Sequence, residues 1–265
     1  MITDRELHEE GVDSIRDYKA LCTGSHPEYH TPQSLDALQN YRDQGGRLVY
    51  LGGNGFYWKI ALSPEDPELI EIRRGESGIR AWAAEPGEYY HSFDGSYGGL
   101  WRRNGRPPQL LAGVGFSAQG KFEGSYYRRT AESRTPDLAW MFEGIEDQEI
   151  FGDFGFSGGG AAGFELDRAD VRLGTPEEVR VVASSESHTS SFVLVPEEML
   201  THITNWPGEE EQQKLIRSDI VYFQTPSGGE VFSTGSITFC GSLPWNDFDN
   251  NISRLLENVI RRFLL

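Results

Sequence analysis

The sequence has few cysteines, comparatively few basic residues and no long apolar run. Cys22 and Cys240 are its two cysteines, which excludes a disulfide framework and favours a reducing cytoplasm. The chain has 24 Lys and Arg and 41 Asp and Glu, so the net charge is -17. Such a balance argues against nucleic acid and anionic membrane surfaces as partners. No apolar stretch approaches the ~18 residues of a membrane-spanning helix, and the polar start does not predict a signal peptide.

The order of elements indicates an α/β fold. Thr3 and Glu6 have capping-box spacing, which predicts a short helix from Asp4. Next come a predicted buried strand, DYKALC, a predicted helix, TPQSLDALQNYRDQGG, and an apolar strand that ends at a bend, RLVYLGGNGFYW. The order strand, loop, helix, strand predicts a parallel sheet, in which sites lie beyond the carboxyl ends of the strands.

The remainder of the chain carries a loop-rich insertion and further strands. Residues 70–130 are rich in glycine and aromatics, and we interpret Trp82, Tyr89, Tyr90 and Trp101 there mainly as packing residues. We then predict a Gly-rich loop that ends in an acidic segment, two strands, a hairpin and a final amphipathic helix, at DFGFSGGGAAGFELDRAD, EVRVVASS, SSFVLVP, DIVYFQTPSGGEVFSTGSITF and NNISRLLENVIRRF. No internal repeat interrupts the chain, and we expect one domain over residues 1–265.

Two predicted loops carry chemistry. CTGSHPEYHT places His26 two residues from Glu28, which suits a base and a metal ligand or, alternatively, a hydrogen-bonded turn. In the bend GGNG, hydrolases often place a nucleophile, but this chain has Asn54, whose amide can hold or polarise a carbonyl oxygen. An ordinary turn with a left-handed asparagine is the alternative there.

Other chemistries find less support. The Gly-rich loop lacks the Lys-Ser/Thr ending of a phosphate-binding loop, and it is better suited to bring Glu165 near another segment. We interpret Cys22 and Cys240 as small apolar residues and not as nucleophiles.

Five stretches in order give the chain a resemblance to a known family. TGSHPEYHT, RLVYLGGNGFYW, AEPGEYYHSFDGSYGGLWR, GDFGFSGGGAAGFELDR and GSLPWNDFDNNISRLLENVIRRF together resemble the large subunit of N,N-dimethylformamidase. The resemblance implies a three-layer α/β domain with a mostly parallel sheet, similar to class I glutamine amidotransferases. It also implies an elbow whose central residue is not a cysteine, as at Asn54.

The resemblance also implies a mononuclear iron site. In the family, two tyrosines and one glutamate hold the iron, and the glutamate corresponds to Glu28. By the same motifs, His26, Asn54 and Glu165 correspond to active-site residues. Carboxylate and phenolate oxygens suit Fe³⁺, which acts as a Lewis acid.

The chain departs from the family pattern at the tyrosines. Both iron-binding tyrosines of the family lie upstream of the matching segment, and Tyr29 and Tyr57 do not occupy their positions. We therefore expect the domain to be N-terminally truncated relative to the family. A homo-oligomer, an accompanying subunit or an upstream chain would then complete it.

The leading functional hypothesis is a hydrolase of small linear amides such as N,N-dimethylformamide, or the C-terminal portion of such an enzyme. The alternatives are a non-catalytic amidotransferase-like module that binds a small ligand or a partner subunit, and a structural scaffold.

Overall fold

The computed structural model describes residues 1–66, 68–75, 85–195 and 208–265. Trp82, interpreted above as a packing residue, lies outside these ranges. The strands are β1 Leu21–Cys22, β2 Tyr29–His30, β3 Arg47–Tyr50, β4 Trp58–Leu62, β5 Ile70–Ile72, β6 Gly115–Ser125, β7 Tyr127–Arg129, β8 Ala162–Arg168, β9 Arg180–Ser185, β10 Val193–Leu194, β11 Asp219–Gln224 and β12 Glu230–Ser233. The α-helices are α1 Asp4–Glu10, α2 Pro32–Asp43, α3 Pro108–Ala112, α4 Glu209–Leu215, α5 Phe239–Ser242 and α6 Asn251–Leu264.

The central sheet is mixed, and the prediction of a mostly parallel sheet is wrong. Its six strands lie in the order β1-β3-β12-β11-β9-β7. Pairing is parallel between β1 and β3 and between β3 and β12, and antiparallel at the other three junctions. One of these antiparallel junctions has a local cause: the predicted hairpin forms between β11 and β12, closed by a hydrogen bond of 2.8 Å from Thr225 N to Gly229 O, and a hairpin forces antiparallel pairing.

Four strands of the central sheet nevertheless point the same way. Because β11 is antiparallel to both β12 and β9, the strands β1, β3, β12 and β9 share one direction. Their carboxyl ends therefore meet at one edge of the sheet, which we call the site edge. The loops after β1 and β3 both leave from this edge, as the strand order predicted.

Two three-stranded sheets adjoin the site edge. One has the order β2-β4-β5, with β2 and β4 parallel, and it continues the loops that follow β1 and β3. The other has the order β10-β6-β8 and meets the loop after β12, where Asp167 N donates to Gly235 O over 2.8 Å. Both small sheets thus converge on the edge where the central strands end.

Helices cover both faces of the central sheet. Neighbouring residues of β3 alternate between two core clusters: Leu48 packs with helix α2, and Val49 packs with helix α6. Alternation of side chains along a strand requires this division. The predicted helix α2 has Leu35, Leu38 and Tyr41 buried, and on α6 the buried residues are Ile252, Leu255, Val259 and Phe263.

The sequence signal for the start of helix α1 is confirmed, whereas one strand is much shorter than predicted. The capping box of Thr3 and Glu6 is present at α1. The stretch DYKALC forms only the two-residue strand β1, and Cys22 is exposed there instead of buried. Cys240, predicted in a final strand region, lies in helix α5. In the described part of the chain, no helix is both long and apolar enough to traverse a lipid bilayer.

Candidate acid–base site at the site edge

The loop between β1 and β2 is bound to the bend after β3 by backbone hydrogen bonds. Gly53 N donates to Ser25 O over 3.3 Å, and Tyr57 N and Trp58 N both donate to Glu28 O, over 2.9 and 3.0 Å. The two segments that carry His26 and Asn54 are therefore attached to each other along their length.

Glycines permit this close approach. A Cβ on Gly52 would lie 2.4 Å from Ser25 O, and one on Gly53 would lie 2.7 Å from Glu165 O. Both contacts are shorter than any ordinary contact of a carbon side chain, so only glycine fits at either position. The bend then turns through Asn54 and Phe56, whose φ angles of 50° and 55° lie in the left-handed region. The left-handed asparagine anticipated for an ordinary turn is thus present.

The four predicted site residues come together around one imidazole nitrogen. His26 Nε2 lies 3.2 Å from Glu28 Oε2 and 3.3 Å from Glu165 Oε2. Asn54 Nδ2 donates to Glu28 Oε1 over 3.2 Å. The His26 side chain is 37% exposed, whereas the two carboxylates are 13% exposed each. The imidazole thus faces solvent on one side and two largely buried carboxylates on the other.

The carboxylates control the charge of His26. The hydrogen bond to Glu28 raises the pKa of the imidazole above its ordinary value, and the Glu165 carboxylate acts in the same direction. Partial burial of the ring opposes them. His26 therefore keeps its proton to a higher pH than a free histidine, and such a group can donate a proton near neutral pH.

The second histidine of the loop has a structural role. His30 is fully buried, and its Nε2 donates to Pro27 O over 3.1 Å while its Nδ1 lies 3.2 Å from Ser34 Oγ. Burial lowers the pKa of His30 to about 4, so the ring is neutral at physiological pH. Of the two imidazoles in CTGSHPEYHT, only His26 is placed for acid–base chemistry.

Glu165 reaches the site by a route that the sequence did not indicate. It lies in the middle of strand β8, paired with Gln119 of β6, and not at the end of the Gly-rich loop. The loop precedes β8 instead.

The two residues that sequence analysis missed are Tyr50 and Asp167, which bind each other and the backbone of the bend. The sequence indicated a role for them only through their positions. Asp167 lies two residues from Glu165 on the same face of the strand, and Tyr50 is the last residue of the strand before the bend.

The described residues of the chain do not form a metal site by themselves. Among them, no group of three or more His, Cys, Asp or Glu is arranged to hold a metal ion. Both oxygens of Glu28 are already engaged, by Asn54 and His26. The Tyr29 hydroxyl accepts a hydrogen bond of 2.7 Å from Arg74, and the Tyr57 ring packs edge-on against Trp58. The described contacts thus show two carboxylates in the cluster but not the pair of phenolates that the resemblance implies.

The fold and this cluster define a mixed α/β protein with a histidine–carboxylate site at the edge of its central sheet. The family model described as "N,N-dimethylformamidase beta subunit-like, C-terminal" matches residues 1–251. The chain belongs to this family, as the resemblance predicted. It is 41% identical over 262 residues to the N,N-dimethylformamidase beta subunit of Alcaligenes sp. and 42% identical to that of Paracoccus aminophilus. Each match covers 99% of this chain and 34% of the relative, so the chain spans about a third of their length.

Proposed function

We propose that the chain supplies acid–base residues to a hydrolase of small linear amides, with N,N-dimethylformamide as the representative substrate. One observation carries the proposal: a single imidazole nitrogen, His26 Nε2, lies within 3.3 Å of two separate carboxylates. The names of the relatives indicate the reaction, and this arrangement of groups suits it. Since the chain spans 34% of those relatives, the activity of the whole protein is part of the proposal.

Amide hydrolysis transfers both protons of one water molecule to the leaving amine. Water attacks the carbonyl carbon, the C–N bond breaks, and the products are formate and dimethylammonium. An amine leaves poorly unless it is protonated, so an acid and a base must act in turn. In the proposed mechanism Glu165 accepts the proton of the attacking water, and His26 delivers a proton to the amine nitrogen. Asn54 orients Glu28, and its amide is also proposed to steady the substrate oxygen.

We also propose that the domain is similar to that of class I glutamine amidotransferases. In an amidotransferase-like domain, the residue at the sharp bend after a central strand is the nucleophile. Here the bend follows β3, its central residue has a φ of 50°, and that residue is Asn54. An asparagine cannot attack a carbonyl carbon, so we infer that water is the nucleophile. Helices on both faces of the sheet agree with such a domain.

The test is turnover of N,N-dimethylformamide by the protein isolated from its native source with any accompanying subunit. We expect formate and dimethylamine to appear in equal amounts, as followed by proton NMR. Saturable binding of N,N-dimethylformamide without product would contradict the hydrolase and support the non-catalytic ligand-binding module.

Iron remains a prediction for the assembled protein. Among the described residues, no group of three or more His, Cys, Asp or Glu is arranged to hold a metal ion, and the Tyr29 hydroxyl near Glu28 already binds Arg74, so they do not fit the iron on their own. We therefore expect the 265-residue chain, purified alone, to retain well under one equivalent of Fe³⁺ by metal analysis, because ferric iron needs several anionic oxygen ligands. A full equivalent with a visible phenolate-to-iron absorption band would contradict this and point to Tyr29 and Tyr57.

Neither cysteine is expected to take part in the reaction. Partial burial raises the pKa of the Cys22 thiol, and burial raises the pKa of Cys240 to about 11, so neither is a thiolate at neutral pH. We expect Cys22→Ser to keep its rate within about twofold, because substitutions away from functional contacts are usually small in effect. Cys240, whose thiol donates to Leu51 O, is the internal comparison. Selective inactivation by alkylation of Cys22 would contradict this expectation.

A partner is part of the same proposal. The relatives are named beta subunits, and we infer that this chain also functions beside an accompanying subunit or as a homo-oligomer. We further propose a cytoplasmic location, on the basis of its two unpaired cysteines.

A further inference from the structure

We propose that Tyr50 and Asp167 are positioning residues that fix Asn54, and through it Glu28, against Glu165. This inference rests on the proposed amide hydrolysis for its meaning. It assigns a role to two side chains that contact neither His26 nor Glu28 among the described hydrogen bonds.

The two side chains form a buried hydrogen-bonded unit under the bend. Tyr50 donates to Asp167 Oδ2 over 2.8 Å, and its hydroxyl accepts a hydrogen bond of 2.8 Å from Gly55 N. Asp167 Oδ1 accepts a hydrogen bond of 2.7 Å from Asn54 N. Both side chains are fully buried. Two consecutive backbone N–H groups of the bend thus donate hydrogen bonds to this pair of side chains, one to Asp167 and one to Tyr50.

The bend needs such partners. Asn54 and Phe56 have positive φ angles, a conformation that is unfavourable for residues other than glycine and persists only where surrounding contacts hold it. The N–H groups of Asn54 and Gly55 point into the interior, and an unpaired buried N–H is costly. A Cβ on Gly55 would lie 2.7 Å from the Tyr50 oxygen, so the phenol fits only beneath a glycine. The phenol and the bend are therefore fitted to each other.

The pair also joins the two sides of the site. Asp167 and Glu165 lie on the same face of β8, two residues apart, so the carboxylate that binds the bend and the one that faces His26 move as one rigid element. On the other side, Asn54 Nδ2 binds Glu28 Oε1. Asp167 consequently sets the distance between the strand that carries Glu165 and the bend that orients Glu28.

Tyr50 is protonated in this arrangement. Burial raises the pKa of its hydroxyl well above the ordinary value, and the Asp167 carboxylate beside it acts in the same direction. A protonated phenol donates to the carboxylate and still accepts from Gly55. Phenylalanine in its place would keep the ring and remove both interactions.

The chain offers a matched control at the opposite edge of the sheet. The Tyr222 hydroxyl donates to Glu230 Oε1 over 2.5 Å and accepts from Gln224 Nε2 over 3.0 Å. Glu230 begins β12 and Gln224 ends β11, which places this pair away from the site edge. Tyr222→Phe therefore removes the same two types of hydrogen bond as Tyr50→Phe, without touching the bend.

The experiment measures kcat and KM for N,N-dimethylformamide in both variants, each made in the whole protein with any accompanying subunit. We expect Tyr50→Phe to lower kcat by about 10- to 100-fold with KM nearly unchanged, since small displacements of reacting groups cost this much. Tyr222→Phe should keep kcat within about twofold. An equal loss in both variants, or an unchanged kcat in Tyr50→Phe, would overturn the proposal.

A second readout does not depend on turnover. The side-chain amide proton signals of Asn54 in the NMR spectrum report its contact with Glu28, and hydrogen exchange reports the protection of Gly55 N–H. We expect Tyr50→Phe to shift the first and reduce the second, and Tyr222→Phe to alter neither. If the wild type does not hydrolyse the amide, the proposed function fails, while unshifted Asn54 signals in Tyr50→Phe would overturn the positioning role independently.

Discussion

Replacement of Glu165 by glutamine should abolish most amide hydrolysis and leave the fold intact. Glutamine has the size and shape of glutamate, so strand β8 and its pairing with β6 are preserved. It carries no charge and cannot accept a proton from water. General acid–base groups contribute about 10²- to 10⁴-fold, and we expect a loss of kcat in that range.

The measurement is the initial rate of dimethylamine release, with circular dichroism to verify folding. Glu123→Gln is the matched control: Glu123 lies on β6 of the same small sheet, and its carboxylate binds the hydroxyls of Thr189 and Ser191 instead of an imidazole. It should retain near wild-type turnover. A Glu165→Gln variant as active as Glu123→Gln would show that Glu165 has no role in proton transfer and would leave His26 and Glu28 as the acid–base pair.

The parts of the site that follow strand ends could be predicted from the sequence. His26 and Glu28 follow β1, Asn54 follows β3, and each loop has a glycine as its second residue, Gly24 and Gly52. Parallel pairing of β1 with β3 then places both loops at the same edge. These inferences depend on local signals and one general rule of α/β sheets. They were correct even though β1 is only two residues long.

The remaining parts depend on contacts between distant segments, which local patterns do not encode. The sequence separation of Tyr50 and Asp167 is 117 residues, and nothing near either residue specifies the other. Glu165 was expected near the site for a wrong reason, since a strand and not a loop brings it there. The central sheet was expected to be mostly parallel because β1, α2 and β3 follow the βαβ order. The hairpin of β11 and β12 was itself predicted, but its position in the central sheet, between β3 and β9, depends on pairing between segments that are distant in sequence.

The second large effect is expected for Gly52→Ala, because an added methyl group would collide with the loop that carries His26. A Cβ at this position would lie 2.4 Å from Ser25 O and 2.7 Å from Ser25 C, which are both backbone atoms. A flexible side chain could relieve the collision by rotating, but backbone atoms can do so only if the whole loop shifts. The loop that carries His26 must therefore retreat from the bend by about 1 Å to reach an ordinary contact distance of 3.4 Å.

Two losses follow from that displacement. Overpacking of this kind costs about 1–3 kcal/mol of unfolding free energy. The retreat also separates His26 from Glu165, because β8 contacts the bend at Gly53 and does not move with the loop. A misplacement of about 1 Å costs on the order of 100-fold in rate. Denaturant unfolding and initial rates of N,N-dimethylformamide hydrolysis measure the two losses separately.

Gly24→Ala is the matched control for Gly52→Ala, because it lies in the same loop. A Cβ on Gly24 would have no neighbour within 4 Å, so the same methyl group is added without a collision. Its stability and rate should stay near those of the wild type. If Gly52→Ala behaves like Gly24→Ala, the loop tolerates displacement, and the distance between His26 and Glu165 cannot be what limits the reaction. If only Gly52→Ala loses activity, the close approach of the two backbones is what sets the geometry of the acid–base site.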